Sequence, residues 1–117
     1  MPRLSTHVLD TARGRPAAGM RIELHLLIDS ERRMVAEATT NADGRTDVPL
    51  LAADRLERGV YELTFHAGDY FRNCGVMLTT PPFLDTIVVR VGISEPGGQY
   101  HVPLLLSPYS YSTYRGT

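Results

Sequence analysis

The chain contains no lysine, no tryptophan and only one cysteine among its 117 residues. All twelve basic residues are therefore arginines, so no side-chain amine can form a Schiff base, and lysine-dependent carbonyl or pyridoxal chemistry is excluded. The one cysteine, Cys74, cannot support an intramolecular disulfide or a Cys-rich zinc site. We expect it to be a small buried apolar residue.

An excess of charge of either sign is absent as well. The net charge of −1 offers no basic stripe for a nucleic acid. No apolar run approaches the ~20 residues of a membrane span. Residues 1–7 lack the basic and apolar regions of a secretory signal. We therefore expect a cytoplasmic protein with no nucleic-acid or membrane partner, folded as a single domain over residues 1–117.

What the sequence does contain is a series of short alternating or β-branched segments separated by turn residues. About eight short strands with this spacing indicate an antiparallel sandwich or barrel. Residues 41–44 and 96–98 are hairpin signals, and Ser107-Pro108 is a third turn. A short helix fits either 50–58 or 66–74, and the residues alone do not decide between them. The predicted strands are 5–10, 21–28, 34–40, 59–65, 85–93, 100–106 and 109–115.

Two of the four histidines, His7 and His101, lie among apolar neighbours in predicted strands. An imidazole titrates near pH ~6.5, so a converging pair could take and give protons at neutral pH. The alternative is two structural histidines. We expect His25 to be solvated on its strand, and His66, at a strand end, to be a surface or cap residue.

Arg45 directly follows the turn Asp43-Gly44, so it is predicted to begin a strand, where geometry is better fixed than in a loop. Its guanidinium suits a carboxylate, a phosphate or a polarised carbonyl oxygen. The alternative is a surface ion pair with Asp43 or Asp47.

The last seven residues, YSTYRGT, alternate aromatic and hydroxyl side chains and then end in an unusual group of functions. Arg115 supplies a guanidinium, Gly116 is expected to let the backbone turn, and Thr117 carries a hydroxyl beside an α-carboxylate. Chain ends are usually frayed and polar. This concentration of groups instead indicates part of a site.

Several familiar site motifs are missing from the sequence. There is no His-x-His or His-Glu-x-x-His spacing, no phosphate-binding glycine loop, no dinucleotide fingerprint and no Gly-x-Ser-x-Gly elbow. We therefore expect neither a metal nor a cofactor. The functional interpretation depends on whether His7, Arg45, His101 and the last residues meet in space.

Together these segments resemble one family, the 5-hydroxyisourate hydrolases, also called transthyretin-like or transthyretin-related proteins. The matching stretches are LSTHVLD at 4–10, Asp43-Gly44-Arg45, YHVPLLLSP at 100–108 and YSYSTYRGT at 109–117. Their order and spacing fit over essentially the whole chain. The terminal YRGT is the most specific mark, although the family usually ends in serine where this chain has Thr117.

The resemblance implies an all-β, transthyretin-like antiparallel β-sandwich of two four-stranded sheets with one short helix, which it places at 66–74. It also implies that the first, fourth, seventh and eighth strands share one sheet in the order 4-1-7-8. His7, Arg45, His101 and the last residues would then come from neighbouring strands. The implied assembly is a homotetramer with active sites in a channel between dimers.

The reaction implied by the resemblance is hydrolytic opening of the six-membered ring of 5-hydroxyisourate, a product of urate oxidation. His7 and His101 would activate water, with the general base undecided between them, and Arg45 would stabilise charge on the attacked carbonyl. The residues that would shape the substrate pocket are Tyr114, Arg115, Gly116 and Thr117.

Two other functions compete with this one. The chain could carry small hydrophobic ligands in the same channel, as transthyretin does, or it could be an interaction module without chemistry. A carrier needs an apolar channel and has no use for two histidines, an arginine and a polar chain end. Neither alternative explains the last residues.

Overall fold

A computed structural model describes residues 2–117. One turn of 3-10 helix covers Ala53–Arg55, and the α-helix α1 covers Ala67–Asn73. The α-helix therefore forms where the resemblance implied it. Within residues 2–117, no helix is long and apolar enough to cross a membrane. The strands are β1 (Arg3–Asp10), β2 (Arg15–Pro16), β3 (Arg21–Ile28), β4 (Glu31–Thr39), β5 (Gly59–His66), β6 (Thr86–Ile93), β7 (Gln99–Leu106) and β8 (Tyr111–Thr113).

The strands form two four-stranded sheets. Sheet A has the order β2-β1-β7-β8, and sheet B has the order β4-β3-β5-β6. Among the strand pairs described, β1 and β7 run parallel, from Arg3 opposite Gln99 to Asp10 opposite Leu106, and the others run antiparallel. The predicted all-β sandwich with one short helix is confirmed, with this one parallel pair at the centre of sheet A.

The hydrophobic core fills the space between the two sheets because successive side chains of a strand point to opposite faces. On β1, Leu4 and Val8 are fully buried, and buried and partly exposed residues alternate between them. On β5, Leu63 and Phe65 are fully buried, as is Leu104 on β7. The outward positions of β1 and β7 are thereby left free for polar groups.

Helix α1 packs on the core through Tyr70 and Phe71, and a buried carboxylate ties it to the end of β1. Asp10 accepts hydrogen bonds from the Tyr70 hydroxyl at 2.8 Å and from Arg13 Nε at 3.0 Å. Burial raises the pKa of Asp10, but the bonds from Tyr70 and Arg13 outweigh it, and the pKa is lowered. Arg13 Nη2 also donates to Cys74 Sγ at 2.9 Å. We expected Cys74 to be buried, but it is half-buried and accepts this hydrogen bond.

The predicted hairpin turn at 41–44 is a tight turn, but it does not lead into a strand. Asn41 Oδ1 accepts the N–H groups of Asp43 at 2.9 Å and of Arg45 at 3.2 Å. Gly44 has φ +76°, a left-handed conformation that favours glycine.

The prediction that Arg45 begins a strand is wrong. Residues 45–51 pair with β1 through two isolated bridges, His7 with Arg45 and Leu4 with Leu51, and form no continuous ladder. Pro49, between the two bridges, has no N–H to donate to a ladder. The order 4-1-7-8 implied by the resemblance places a full strand beside β1. On this edge of β1 the structure instead has two bridges and the short β2.

The other two predicted turns differ from each other. The turn at 96–98 links β6 of sheet B to β7 of sheet A, so it is a connection between sheets and not a hairpin. The turn at Ser107-Pro108 does join an antiparallel pair, β7 and β8. The strand predicted over 109–115 shortens to Tyr111–Thr113.

The expectation that His25 is solvated is wrong. It is only 7% exposed, although it lies on the outer face of sheet B, opposite Glu62. Arg32 on β4 reaches across β3 to bind Glu62 on β5, and this crossing explains why a residue on the outer face is covered. His66 lies at the N-cap of α1, half-buried, as expected for a cap residue.

Candidate active site

The outer face of sheet A brings polar side chains of β1 and β7 side by side. Alternation along β1 directs Ser5 and His7 to this face. The parallel register places Ser5 opposite His101 and His7 opposite Pro103. Ser5 Oγ lies 2.9 Å from Nδ1 of His101, so these two strands form a hydrogen bond between side chains as well as between backbones.

The turn before Arg45 is hydrogen-bonded to β1. The N–H of Val8 donates to the carbonyl of Gly44 at 2.8 Å, and Arg45 forms its bridge with His7. His7 Nε2 lies 3.0 Å from the backbone oxygen of Asp43. A carbonyl oxygen only accepts, so Nε2 of His7 carries a proton in this arrangement. The turn therefore sets both the position of Arg45 and the tautomer of His7.

The last residues return to β7. The N–H of Gly116 donates to the carbonyl of His101 at 2.7 Å, and the two residues form an isolated bridge. The backbone of Gly116 is not among the positive-φ glycines, so no left-handed turn requires glycine at this position. Its missing side chain provides space instead, because a Cβ there would lie 2.7 Å from Cδ2 of His101.

These elements surround a cavity of about 370 Å³ with a predominantly polar wall. Arg45, His101 and Thr117 line it, as do residues 46–49. The structure thus places three of the sequence-predicted site residues around one space. The residues that line it are Arg3, Ser5, Thr6, Arg45, Thr46, Asp47, Val48, Pro49, Gln99, Tyr100, His101 and Thr117.

The other sequence-predicted site residues lie elsewhere. His7 is adjacent through its bridge to Arg45 but is not part of the cavity wall. Tyr114 and Arg115 line a second cavity of about 360 Å³, beside Val89 and Val91 of β6. The Arg115 guanidinium stacks 4.4 Å from the ring centroid of Tyr100, which lines both cavities.

Two arginines, Arg3 and Arg45, line the first cavity, and neither is paired with the Asp47 carboxylate that also lines it. Within residues 2–117, neither Arg3 nor Arg45 forms an ion pair, so the alternative pairing of Arg45 with Asp43 or Asp47 is not found. Burial lowers the pKa of His101, and electrostatic interactions with Arg45, His7 and Arg3 lower it further. A lowered pKa leaves His101 neutral at pH 7, with one nitrogen lone pair available.

The donor set suits polar organic ligands better than a metal. In the part of the chain that the structure describes, no group of three or more His, Cys, Asp or Glu side chains could hold a metal ion. A neutral imidazole beside an unpaired guanidinium can instead accept a proton and stabilise a developing oxyanion.

Sequence reasoning missed Ser5, Arg3 and Gln99 as members of the cavity wall. A signal for Ser5 was present, because it precedes His7 by two residues on the predicted strand 5–10, and residues spaced by two share a face of a strand. Arg3 and Gln99 lie just before the predicted strands 5–10 and 100–106, so they could have been found only by extending those strands.

Residues 4–116 match the family model described as the HIUase/Transthyretin family. This chain belongs to that family. Curated members of the HIUase/Transthyretin family include a 5-hydroxyisourate hydrolase of Deinococcus radiodurans that is 53% identical, over 99% of this chain and 97% of that one. A second, 5-hydroxyisourate hydrolase 2 of Rhizobium meliloti, is 55% identical over 98% of this chain and 96% of the relative.

Solved structures of the HIUase/Transthyretin fold agree with this membership. An (S)-allantoin synthase has a TM-score of 0.92 and 48% identity, and the match covers 98% of this chain but 43% of that chain. This chain therefore spans less than half the length of that protein. Transthyretin from Sparus aurata has a TM-score of 0.87 at 28% identity, covering 99% of this chain and 97% of the other.

Proposed function

We propose that this chain is a hydrolase that opens the six-membered ring of 5-hydroxyisourate by adding water to its cyclic amide, a step in urate degradation. One observation carries the proposal: an unpaired Arg45 and a neutral His101 line the same polar cavity. The 53% identity to a curated 5-hydroxyisourate hydrolase supports the choice of substrate.

The general base of the reaction is His101, acting through the ring nitrogen that Ser5 leaves free. Nε2 takes a proton from water, the water oxygen bonds to the amide carbon, and the C=O electron pair moves onto the carbonyl oxygen. A lowered pKa keeps this base unprotonated at neutral pH. When the C–N bond breaks, the imidazolium returns its proton to the departing nitrogen, so His101 ends as it began.

Arg45 stabilises the oxyanion that forms at the attacked carbonyl. The turn at 41–45 fixes the backbone of Arg45, and its guanidinium has no carboxylate partner within residues 2–117, so its donors are free for the substrate. A donor of this kind is worth about 10²–10³ in rate. His7 can exchange a proton only through Nδ1, because its Nε2–H is held by Asp43.

The last residues contribute unequally. Thr117, on the cavity wall, orients substrate or water through its hydroxyl. Gly116 lies against His101, and Arg115 acts indirectly, by stacking on Tyr100. Tyr114 is 61% exposed and lies beside the second cavity. It therefore binds substrate only within the assembly proposed below.

A carrier of hydrophobic ligands fits the cavity less well. The wall contains Arg3, Arg45, Asp47 and His101, which an apolar ligand would desolvate without compensation. Identity to the transthyretin structure is 28%, against 53% for the hydrolase of Deinococcus radiodurans. We therefore favour the hydrolase.

We also propose a homotetramer, arranged as a dimer of dimers, in which the cavity opens into the channel between dimers. The cavity lies on the outer face of sheet A, where the half-buried Leu9 and Leu105 are paired in the β1–β7 register. Light scattering on the eluting protein should give four times the 13.0 kDa chain mass. A monomer would contradict this assembly without affecting the assignment of the reaction.

The decisive experiment follows the ultraviolet decay of 5-hydroxyisourate, generated freshly from urate with urate oxidase. We expect the protein to accelerate the decay, and His101→Ala to reduce kcat by about 10²–10⁴ through loss of the base. A decay no faster than the spontaneous one would overturn the proposed function. Full activity in His101→Ala would remove His101 from the reaction.

A further inference from the structure

Building on the proposed function, we infer that Ser5 and Gly116 are positioning residues that hold the His101 imidazole by its two opposite edges. With both edges held, Nε2 is the nitrogen left for the cavity. Neither residue needs to touch the substrate. Each acts on the reaction through the orientation and the tautomer of His101.

Ser5 holds the first edge. Its Oγ lies 2.9 Å from Nδ1 of His101, and the two residues are register partners in the parallel β1–β7 pair. A register partner on the same face cannot drift away without breaking the ladder around it. The hydrogen bond is therefore fixed by backbone pairing as well as by the side chains.

Gly116 holds the second edge. A Cβ at this position would lie 2.7 Å from Cδ2, 3.3 Å from Cγ and 3.4 Å from Cβ of His101. The imidazole thus occupies the space that any other residue at 116 would fill. The Gly116 N–H bond to the His101 carbonyl, at 2.7 Å, keeps the chain pressed against the ring. Because the backbone of Gly116 is not left-handed, space is the reason for glycine here.

Ring geometry then decides which nitrogen reacts. An imidazole has two nitrogens, and Nδ1 is occupied by Ser5, so Nε2 alone can face the cavity that His101 lines. A general base must present a lone pair, so the single proton of the neutral ring lies on Nδ1 and is donated to Ser5 Oγ. The partner of one nitrogen sets the tautomer of the other in this way.

The kinetic test compares conservative and non-conservative changes. Ser5→Ala should lower kcat roughly 10-fold with little change in KM, the effect of one lost hydrogen bond on the base. Ser5→Thr, which keeps the hydroxyl, should restore most of the rate. Ser30→Ala, the same change in the exposed turn between β3 and β4 of sheet B, should behave as wild type. An unchanged kcat in Ser5→Ala would overturn the role of Ser5.

Gly116→Ala should lower kcat further than Ser5→Ala, because the added methyl displaces the ring or the last residues. Gly97→Ala is the matched control, since a Cβ there meets nothing within 4 Å. Equal activity of Gly116→Ala and Gly97→Ala would overturn the role of Gly116.

A spectroscopic readout separates this inference from the reaction itself. In ¹⁵N NMR of histidine-labelled protein above the pKa of His101, wild type should show the Nδ1–H tautomer, and Ser5→Ala a mixture of tautomers. The Nε2–H tautomer in wild type, or identical spectra for the two proteins, would overturn the inference. If the protein failed to accelerate 5-hydroxyisourate decay, the proposed function would fall, while this spectrum would still decide how His101 is held.

Discussion

The outer faces of the two sheets carry the same kinds of side chain but pair them differently. On sheet B, Glu62 accepts Arg32 Nε at 3.1 Å and Arg90 Nη2 at 2.9 Å. On sheet A, within the described residues, Arg45 has no carboxylate at ion-pair distance. The nearby His101 is hydrogen-bonded to a serine.

The difference lies in where the carboxylates are. Glu62, at the centre of sheet B, is hydrogen-bonded to both neighbouring arginines. It keeps its own charge because the bonds from Arg32 and then Arg90 lower its pKa. The centre of sheet A has Ser5 in an equivalent outward position, which cannot neutralise a guanidinium. The outer face of sheet A therefore keeps positive charge available to a ligand, whereas on sheet B the arginines are paired with a glutamate.

The largest expected effect comes from removing an arginine on each face. Arg45→Ala should lower kcat/KM by about 10²–10³, because the oxyanion loses its donor. Arg90→Ala should leave kcat/KM unchanged and cost less than about 1 kcal/mol of stability, since its guanidinium is largely solvated. Steady-state kinetics and thermal unfolding of both variants measure this contrast. Equal losses of activity would show that the two faces do not differ in function.

An intermediate effect is expected from Glu62→Gln, which leaves Arg32 and Arg90 close together without a counter-charge. The free energy of unfolding should fall by about 1 kcal/mol at pH 7, as measured by urea denaturation. The pKa of Glu62 is lowered from 4.5, so its stabilisation is present above pH 4.5 and disappears as pH falls through the lower folded value. The difference between wild type and variant should shrink over that acidic range. A difference independent of pH would show that packing, not charge, is responsible.

The smallest expected effect is a displaced pH profile. Because the pKa of His101 is lowered from 6.5, the acidic limb of kcat/KM should lie below pH 6.5, with the base active above it. Arg3→Ala removes one of the charges that lower this pKa and should move the limb upward. Arg33→Ala, on β4 of sheet B, should not move it. A downward shift in Arg3→Ala would contradict the sign of the effect.

The fold could be predicted from the sequence wherever a strand carries its own alternation. β3 was predicted with the observed bounds, and β5 and β7 to within one residue, because each is about eight residues long and pairs over most of its length. Short elements such as β2 carry no periodicity of their own. The segment after Arg45 failed for a different reason: its pairing depends on the distant strand β1, and Pro49 within the segment cannot donate to a ladder.

The candidate site could be predicted in its residue types but not in its contacts. Parity placed His25 on the outer face correctly, yet its burial depends on Arg32, which crosses from β4, a contact between strands that no local pattern reveals. Likewise, no pattern shows that Gly116 faces the ring of His101 or that Arg115 stacks on Tyr100. The roles of these residues stay predictions until the variants are measured.

The parallel pairing of β1 with β7 has a consequence for how the protein is made. Ser5 and His101 are 96 positions apart in sequence, so their strands meet only after β7 has left the ribosome. Sheet B lies entirely between residues 21 and 93 and can assemble before β7 exists. Closing so long a loop is entropically costly and slow. The cavity is therefore completed only after all of sheet B has been synthesised, and the return of activity after denaturation should report the final step of folding.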